Sequence, residues 1–484
     1  MQAQHYDLVV IGAGPAGEKG AAQAAYFGKR VAVIEEAAPG GAVCHTGTLP
    51  SKTLRETALM LSGFKARDLY GADLSLRRNA TVQDLLFHER NVRTAHQESI
   101  EENLARHGVD IHSGVGSFDD QHTLRVSPRG GAPYRLEAEN ILIAVGSSPS
   151  RPATFPFDTP RVWDSDDVIE LPFMPERMAI VGGGIIGAEY ACTFAALGID
   201  VTLIDGRTVL FPFVDEDVRE ILERQMRALG VELIQEDRVT ECTVTDDGVT
   251  MRLQSGGQYQ GDAVLVAAGR RGKTRSLKLG NAGLVANKNG TVPVNERFQT
   301  RVPHIYAAGD VVGFPALAST SMEQARLAVV HAFDLKYKKS VGPVLPMGIF
   351  TIPEIGIAGQ TEQTLKNAAE DYVVGRAYYS QNARGRIIGD SEGMLKLIFR
   401  PDDMTLMGVS VIGEGATELV HVGLMALMME AKSEVFIETC FNYPTLGQLY
   451  KYATYDAMGE LQRRGNRLHD SEQARVNLRT ITAG

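Results

Sequence analysis

The chain carries the same glycine-rich loop twice, and each copy stands between an apolar run and a helical stretch. The first loop, GAGPAG, spans residues 12–17, and the second, GGGIIG, spans residues 182–187. In both copies a carboxylate ends the next apolar run 23 positions after the first glycine, as Glu35 and as Asp205. A buried strand, a glycine loop, a helix and a second strand ending in an acid make a dinucleotide-binding βαβ unit. The sequence therefore predicts an α/β protein with two such units.

Each glycine of such a loop has its own task. The first allows a tight turn, the second lets the backbone approach a pyrophosphate, and the third lets the helix pack closely on the strand. The N-terminus of the helix presents free N–H groups to phosphates, and the carboxylate accepts from ribose hydroxyls. The expected binding positions are Gly12, Gly14, Gly17 and Glu35 in the first copy and Gly182, Gly184, Gly187 and Asp205 in the second.

The second copy gives a mixed signal about its nucleotide. Asp205 favours NAD, because it can accept from a 2′-hydroxyl and would repel a 2′-phosphate. Arg207, two residues further on, can offer a charge-assisted fork to that phosphate. The pair predicts a site that tolerates both NAD and NADP, and the alternative is a solvated Arg207 that contacts nothing.

Composition excludes several classes of protein. The 484 residues include 49 Lys and Arg against 59 Asp and Glu, a formal charge of −10, which argues against a generic nucleic-acid binder. No apolar stretch reaches the length of about 18 residues that predicts a transmembrane helix. The N-terminus lacks the features of a secretory signal, so we expect a cytoplasmic protein. The four cysteines, at 44, 192, 242 and 440, are too scattered for a disulfide scaffold or a zinc ribbon, and no metal is expected.

Several stretches resemble the flavoprotein disulfide-reductase superfamily, from about Tyr6 to Tyr455. They are VIGAGPAG, GTLPSKTLRE, RVWDSDDVIEL, GGGIIGAEYA, HIYAAGDVVGFPALASTSMEQAR, GIFTIPEIGIAGQTE and FNYPTLGQLY. Within the superfamily, the chain is most similar to the pyridine nucleotide transhydrogenase subfamily, of the Si-specific type. The resemblance implies a tightly bound FAD, NAD(H) and NADP(H) as substrates, and a homodimer or a larger homo-oligomer.

The resemblance also implies roles for individual residues. Lys52, in Pro-Ser-Lys, matches the lysine beside flavin N5, and Glu189 matches its carboxylate partner. Asp310 in AAGD matches the residue that bonds the ribityl chain, and Ala318 matches a backbone contact at the flavin ring. Thr48, Lys52 and Glu189 form the expected catalytic set. Lys52 also counts among the expected cofactor contacts, as do three more glycines, Gly41, Gly146 and Gly269.

Two departures separate the chain from the superfamily's disulfide reductases, which carry a C-x4-C pair just before Pro-Ser-Lys. Val43 and Thr48 stand at those positions, and Cys44 is displaced by one residue without a cysteine nearby in sequence. Tyr443 and Gln448 stand where the reductases have the His and the Glu of their thiol base. Because a redox disulfide needs two close sulfurs, we predict that no local redox pair forms. Cys44 is interpreted as a buried inert thiol, with a flavin contact as the alternative.

The predicted fold class is α/β, with two Rossmann-like dinucleotide-binding domains and an α+β C-terminal dimerisation domain. Residues 1–150 form the first part of the FAD-binding domain and residues 276–345 the second part. The NAD(P)-binding domain, residues 151–275, is inserted between them. Residues 346–463 form the interface domain. Residues 464–484 form a polar tail that is mobile or contacts a partner.

The loss of the thiol relay points to one chemistry. Hydride transfer from NADPH to FAD, and then from FAD to NAD+, needs neither a thiol nor a general base, because the cofactor carries the reaction. The sequence therefore predicts an NAD(P)+ transhydrogenase that works by ping-pong through flavin N5. Two alternatives stay open: an NAD(P)H:quinone or dye reductase of the same fold, and a non-catalytic flavin-binding redox sensor. The expected partners are nicotinamide nucleotides, without nucleic acid or membrane.

Overall fold

The computed structural model describes residues 4–63 and 80–481, with side chains described as far as residue 466. These residues divide into two compact units. The first unit comprises residues 4–62, 80–207 and 232–342, and the second comprises residue 63 with residues 208–231 and 343–481.

The secondary-structure elements are numbered in chain order. The strands are β1 (Gln4–Ile11), β2 (Val31–Glu35), β3 (Asp110–Ser113), β4 (Val115–Phe118), β5 (Thr123–Ser127), β6 (Tyr134–Ile143), β7 (Ser147–Pro149), β8 (Val162–Asp164), β9 (Arg177–Val181), β10 (Asp200–Ile204), β11 (Val231–Ile234), β12 (Val239–Thr245), β13 (Gly248–Leu253), β14 (Gln258–Gly261), β15 (Ala263–Val266), β16 (Arg270–Gly272), β17 (Ile305–Ala307), β18 (Met347–Ile349), β19 (Ile355–Gly359), β20 (Val373–Tyr378), β21 (Met394–Phe399) and β22 (Leu406–Ile412). The helices are α1 (Pro15–Tyr26), α2 (Gly41–His45), α3 (Thr48–Ser62), α4 (Val82–Arg106), α5 (Ile185–Ala196), α6 (Glu216–Ala228), α7 (Ala318–Ala332), α8 (Glu362–Ala368), α9 (Ala383–Ile388), α10 (Ala416–Met428), α11 (Glu434–Glu438) and α12 (Leu449–Ile481). Short 3-10 helices lie at Asp167–Glu170, Arg275–Leu277, Leu279–Ala282, Asp310–Val312, Tyr379–Gln381 and Leu446–Gln448.

The first sheet of the first unit has the strand order β3-β2-β1-β6-β5-β4, with β17 also paired to β6. Strand β1 is parallel to both of its neighbours, β2 and β6. Residues Leu8–Ile11 are at most 3% exposed, as expected for the centre of a parallel sheet. Helix α1 packs closely on β6, because a Cβ on Gly20 would lie 2.7 Å from a Leu142 methyl carbon. The glycine loop at residues 12–17 therefore lies at the carboxyl end of β1.

The second sheet repeats this plan with the order β11-β10-β9-β15-β8. Strand β9 is parallel to β10 and β15. Helix α5 follows β9 directly, and its residues from Gly187 to Ala196 are all buried. An antiparallel sheet, β12-β13-β14, and the pair β7-β16 complete the described strands of this unit. The predicted α/β fold class with two Rossmann-like sheets is confirmed.

The second unit is built on an antiparallel sheet of order β18-β19-β22-β21-β20. Strand β21 is buried at all six positions, and helix α12 lies so close to β20 that a Cβ on Gly375 would be 1.8 Å from the Ala453 carbonyl oxygen. The segment predicted as a polar tail begins inside α12, and its last residues, 482–484, lie outside the described residues. In the part of the chain that the structure describes, no helix has both the length and the apolar character needed to span a bilayer.

A fully buried lysine lies among three carboxylates in the second unit. The Lys396 side chain is 0% exposed, with Nζ 3.0 Å from Asp215 Oδ2 and 2.8 Å from Asp217 Oδ1. It also donates a hydrogen bond to Glu362. These three acids are close enough together to hold a cation, and the ammonium of Lys396 occupies that position. Burial acts to lower the pKa of Lys396, but the surrounding carboxylates raise it above its ordinary value, so the side chain stays charged.

Candidate functional site

The first glycine loop has a backbone that only glycine can adopt. Gly12 has a φ of +99°, and a Cβ there would lie 2.5 Å from the Ala144 carbonyl oxygen. A Cβ on Gly17 would lie 1.8 Å from the Gly12 oxygen, far inside van der Waals contact. The strand therefore turns sharply into α1, and the helix packs against its own loop.

The second loop repeats this geometry. Gly182 has a φ of +107°, and a Cβ on Gly187 would lie 1.9 Å from the Gly182 oxygen. The middle glycines are different, because they leave space open. Among the described atoms outside its chain neighbours, none lies within 4 Å of where a Cβ on Gly184 would stand, and a Cβ on Gly14 would meet the Gly41 Cα at 3.7 Å. The space is where a pyrophosphate approaches the N-terminus of the helix.

The two predicted carboxylates are held by the loops themselves. The Ala13 N–H donates to Glu35 Oε2 at 2.6 Å, and the Gly183 N–H donates to Asp205 Oδ2 at 2.9 Å. The same bond thus forms in both copies, between the second loop residue and the acid that ends the next strand. Each carboxylate is fixed beside the position that a ribose takes in such units.

A cavity of about 970 Å³, including its mouth, opens at the carboxyl ends of β1, β2 and β6. Its lining includes both the glycine loop and the strand ends. The predicted residues that line it are Gly12, Gly14, Glu35, Gly41, Gly146, Asp310 and Ala318. A dinucleotide cofactor fits this cradle, since the loop, the acid and the open approach are all present.

Asp310 is held by a hydrogen-bond network that includes Ser147 and Arg270, two residues that were not predicted from the sequence. Ser147 Oγ donates to Asp310 Oδ2 at 2.7 Å, and it accepts from Arg270 Nε at 2.8 Å. Arg270 also donates to the Ser147 carbonyl oxygen at 2.9 Å. Ser147 directly follows the predicted Gly146, and Arg270 directly follows the predicted Gly269. These positions are the signal that could have identified both residues. This network fixes the carboxylate of Asp310 at the cavity wall.

The structure brings Lys52 and Glu189 together, 137 positions apart in sequence. Lys52 Nζ, on α3, donates to Glu189 Oε2, on α5, at 2.6 Å. The side chains are 26% and 7% exposed, respectively. Thr48 begins α3 one turn before Lys52, and its side chain is exposed. The pair is therefore a partly buried ion pair that joins α3 to α5, the helix that follows the second glycine loop.

Arg207 forms a hydrogen-bonded ion pair with Asp205. Its Nε is 3.0 Å and 3.2 Å from the two carboxylate oxygens, and its Nη2 also donates to Oδ2. The Asp205 side chain is 9% exposed, whereas that of Arg207 is 43% exposed. The acid is thus the fixed member of the pair, and the guanidinium is the one that can move.

The positions that carry sulfur in disulfide reductases hold none here. Val43 lines the cavity, and Thr48 has a hydroxyl. Cys44 is 0% exposed, and its Sγ donates to the Arg93 carbonyl oxygen at 3.6 Å. It forms no disulfide with a described cysteine, and burial raises the pKa of its thiol. At the C-terminal end, Tyr443 is 74% exposed and carries no imidazole.

We expect Cys44 to resist alkylation in the native protein. Only a thiolate attacks iodoacetamide, so a buried thiol of raised pKa should react more than about tenfold slower than the exposed Cys440. A timed pulse at pH 8 followed by peptide mass spectrometry measures this ratio, with unfolded protein as the control for equal reactivity. Arsenite should leave activity intact. Rapid labelling of Cys44, or inhibition by arsenite, would contradict the assignment of Cys44 as an inert thiol.

Two dinucleotide loops of matching geometry, a cavity at the first and an ion pair between Lys52 on α3 and Glu189 on the helix of the second loop define a flavin- and nicotinamide-dependent oxidoreductase. Known proteins support the same class. The family described as pyridine nucleotide-disulphide oxidoreductase matches residues 6–329, and its dimerisation domain matches residues 345–454. The chain belongs to this family, as its sequence motifs predicted.

Relatives of known name cover nearly the whole chain. A soluble pyridine nucleotide transhydrogenase of Mycobacterium tuberculosis (strain ATCC 25177 / H37Ra) is 42% identical over 95% of this chain and 98% of that protein. One of Pseudomonas putida (strain GB-1) is 37% identical over 95% of this chain and 100% of that protein. Among solved structures, the HOCl-induced flavoprotein disulfide reductase RclA of Escherichia coli is similar with a TM-score of 0.84, at 26% identity over 93% of this chain and 99% of that one.

Proposed function

We propose that the protein is an FAD-dependent NAD(P)+ transhydrogenase, which moves a hydride from NADPH to NAD+. One observation carries the proposal: two complete dinucleotide loops coexist with Val43 and Thr48 at the positions of the reactive sulfurs. Such a protein can receive and deliver hydride but has no local dithiol to reduce a disulfide. The named relatives at 37–42% identity support the same activity.

FAD fits the first loop. Gly12, Gly14 and Gly17 shape the cradle for its pyrophosphate, Glu35 accepts from its ribose, and Asp310 accepts from its ribityl chain. Gly41, Gly146 and the backbone of Ala318 complete the wall of the cavity. When bound there, FAD supplies a ring that takes hydride from one nicotinamide and yields it to another.

The second loop is the site for both nicotinamide nucleotides in turn. Gly182, Gly184 and Gly187 leave room for the pyrophosphate, and Asp205 accepts from the adenosine ribose. Arg207 meets the 2′-phosphate of NADP(H), and Gly269 turns the chain at the end of the neighbouring strand. One site used twice implies ping-pong kinetics, in which the first nucleotide leaves before the second one binds.

Lys52 is the principal electrostatic group of the reaction. Glu189 orients its ammonium through a hydrogen bond of 2.6 Å and supplies the counter-charge that a partly buried lysine needs. With FAD bound, Lys52, which matches the family's lysine beside flavin N5, would stabilise negative charge that develops on the ring. Thr48, one helical turn earlier, presents a hydroxyl in place of a thiol.

The remaining predictions complete the proposal. Residues 1–150 and 276–345 form the FAD-binding domain, residues 151–275 the NAD(P)-binding domain, and residues 346–463 the interface of a homodimer or larger assembly. The match of the dimerisation domain to residues 345–454 supports the last assignment. We further propose Si-specific transfer and a cytoplasmic location.

Transhydrogenation is tested directly with NADPH and thio-NAD+, an NAD+ analogue whose reduction has its own absorbance. Without oxygen, the yellow holoprotein should reduce thio-NAD+ catalytically, and double-reciprocal plots at several NADPH concentrations should be parallel. Brisk reduction of a quinone without turnover of thio-NAD+ would identify a quinone reductase instead. A colourless protein after purification would overturn every flavoenzyme assignment.

A further inference from the structure

A third charged side chain lies at the carboxyl end of β10, where the adenosine ribose of a nicotinamide nucleotide is proposed to bind. Gly206 stands between Asp205 and Arg207, and a Cβ on it would lie 2.8 Å from Arg238 Nε and 3.3 Å from Arg238 Cζ. The guanidinium of Arg238 therefore covers the open face of Gly206. Arg238 is exposed, and within the described residues its guanidinium takes part in no recorded hydrogen bond or ion pair.

The backbone that carries Arg238 is pinned to the end of β10. The Glu236 N–H donates to the Arg207 carbonyl oxygen at 3.0 Å, and the Asp237 N–H donates to the Asp205 carbonyl oxygen at 3.2 Å. Asp237 then accepts from the Arg238 N–H at 2.8 Å. The backbone of Arg238 is therefore fixed relative to Asp205 and Arg207, while its exposed guanidinium can still turn toward a ligand.

The charges around Gly206 explain why a second arginine is needed. Asp205 is nearly buried and already accepts from Gly183 and Arg207, so Arg207 does little more than neutralise it. A 2′-phosphate carries a charge of about −1.5 to −2 at neutral pH and would meet no surplus positive charge from that pair alone. Arg238 supplies the surplus, and guanidinium groups bind phosphate in a bidentate fork.

We propose that Arg238 is a specificity-determining residue that binds the 2′-phosphate of NADP(H) together with Arg207. The inference rests on the proposed function and assigns the second phosphate ligand of its nicotinamide site. With NAD(H) bound, Asp205 accepts from the 2′-hydroxyl and Arg238 has no partner to bind. With NADP(H) bound, Arg238 and a displaced Arg207 share the phosphate, so one site serves both nucleotides.

Arg238→Ala tests the proposal. The ratio of kcat/KM for NADPH over NADH should fall by about 10- to 100-fold, the effect of losing a charged hydrogen bond. A binding measurement needs no turnover: by calorimetry, the preference of the protein for 2′,5′-ADP over 5′-AMP should fall by a similar factor. The matched control is Arg252→Ala, which removes another exposed arginine from the β12-β13-β14 sheet, where it pairs with Glu241. Arg252→Ala should change neither ratio.

Gly206→Ala gives a second test that leaves Arg238 in place. The new methyl group would push the guanidinium aside, so the preference for 2′,5′-ADP should fall without the loss of a charge. Arg238→Lys should retain part of the preference for 2′,5′-ADP that Arg238→Ala loses. The proposal is overturned if Arg238→Ala behaves like Arg252→Ala, or if NADPH and NADH kinetics weaken equally. If the native protein binds 2′,5′-ADP through Arg238 yet never reduces thio-NAD+, the proposed function fails while this inference stands.

Discussion

Replacing Lys52 by Met should slow the reduction of the flavin by NADPH about 100- to 1,000-fold, the scale on which removal of one preorganised electrostatic group acts. The Lys52 ammonium donates to Glu189 at 2.6 Å, and methionine, whose unbranched side chain is one atom shorter, removes the charge while keeping most of the volume. Anaerobic stopped-flow mixing with NADPH, followed by the bleaching of the yellow colour, measures the step in a single turnover. The reduction potential of the flavin should also fall.

Two further variants separate electrostatics from folding. Lys52→Met leaves Glu189 as a 7% exposed carboxylate without its ammonium, so a loss of rate could come from a disturbed fold. The double variant Lys52→Met/Glu189→Leu removes that stranded charge and should recover thermal stability but not rate. Lys52→Arg should retain more rate than Lys52→Met. If the double variant reduces at the native rate, the role proposed for Lys52 is wrong.

Lys396→Met should destabilise the second unit by about 3–5 kcal/mol, because it strands carboxylates that were paired in a buried site. Lys396 is 0% exposed and Asp215 is 1% exposed, so solvent cannot replace the lost charge. Denaturant unfolding followed by a probe in the second unit measures the change. Lys432→Met, at a position that is 54% exposed, is the matched control and should cost less than about 0.5 kcal/mol.

The charged cluster around Lys396 also predicts that the free energy of unfolding depends on pH in the acid range. Burial raises the pKa of Asp217 and Glu362, but hydrogen bonds and charge from Lys396 outweigh it and bring both below their ordinary values. Their stabilising effect is therefore present at neutral pH and is lost in acid, as the pH falls through their lowered folded pKa values. Burial raises the pKa of Asp215, so the charge on this carboxylate disfavours folding at neutral pH, and this unfavourable effect decreases as the pH falls. Lys396→Met should lose most of the acid sensitivity due to Asp217 and Glu362, and equal pH profiles would contradict this account.

The two nucleotide loops could be predicted from sequence because their constraints are local. A φ of +99° at Gly12 and a Cβ clash of 1.8 Å at Gly17 allow only glycine, so the pattern is visible in six letters. The acids Glu35 and Asp205 were equally visible, because one strand, one helix and one loop set their distance from the glycine. Ser147 and Arg270 were missed, since Ser147 bonds Asp310 across 163 positions, Arg270 bonds Ser147 across 123 positions, and neither bond has a motif of its own.

Sequence alone therefore determined the fold class, the two loops, the loss of the paired sulfurs and the expected partnership of Lys52 with Glu189. Tertiary structure alone decided that Arg207 lies on Asp205, that Arg238 covers Gly206, and that Lys396 meets its three acids. The physical reason is the range of the interactions. A turn is restricted by the sterics of adjacent residues, whereas an ion pair depends on where distant strands end. The partners of an ion pair can therefore be identified only from the folded sheets.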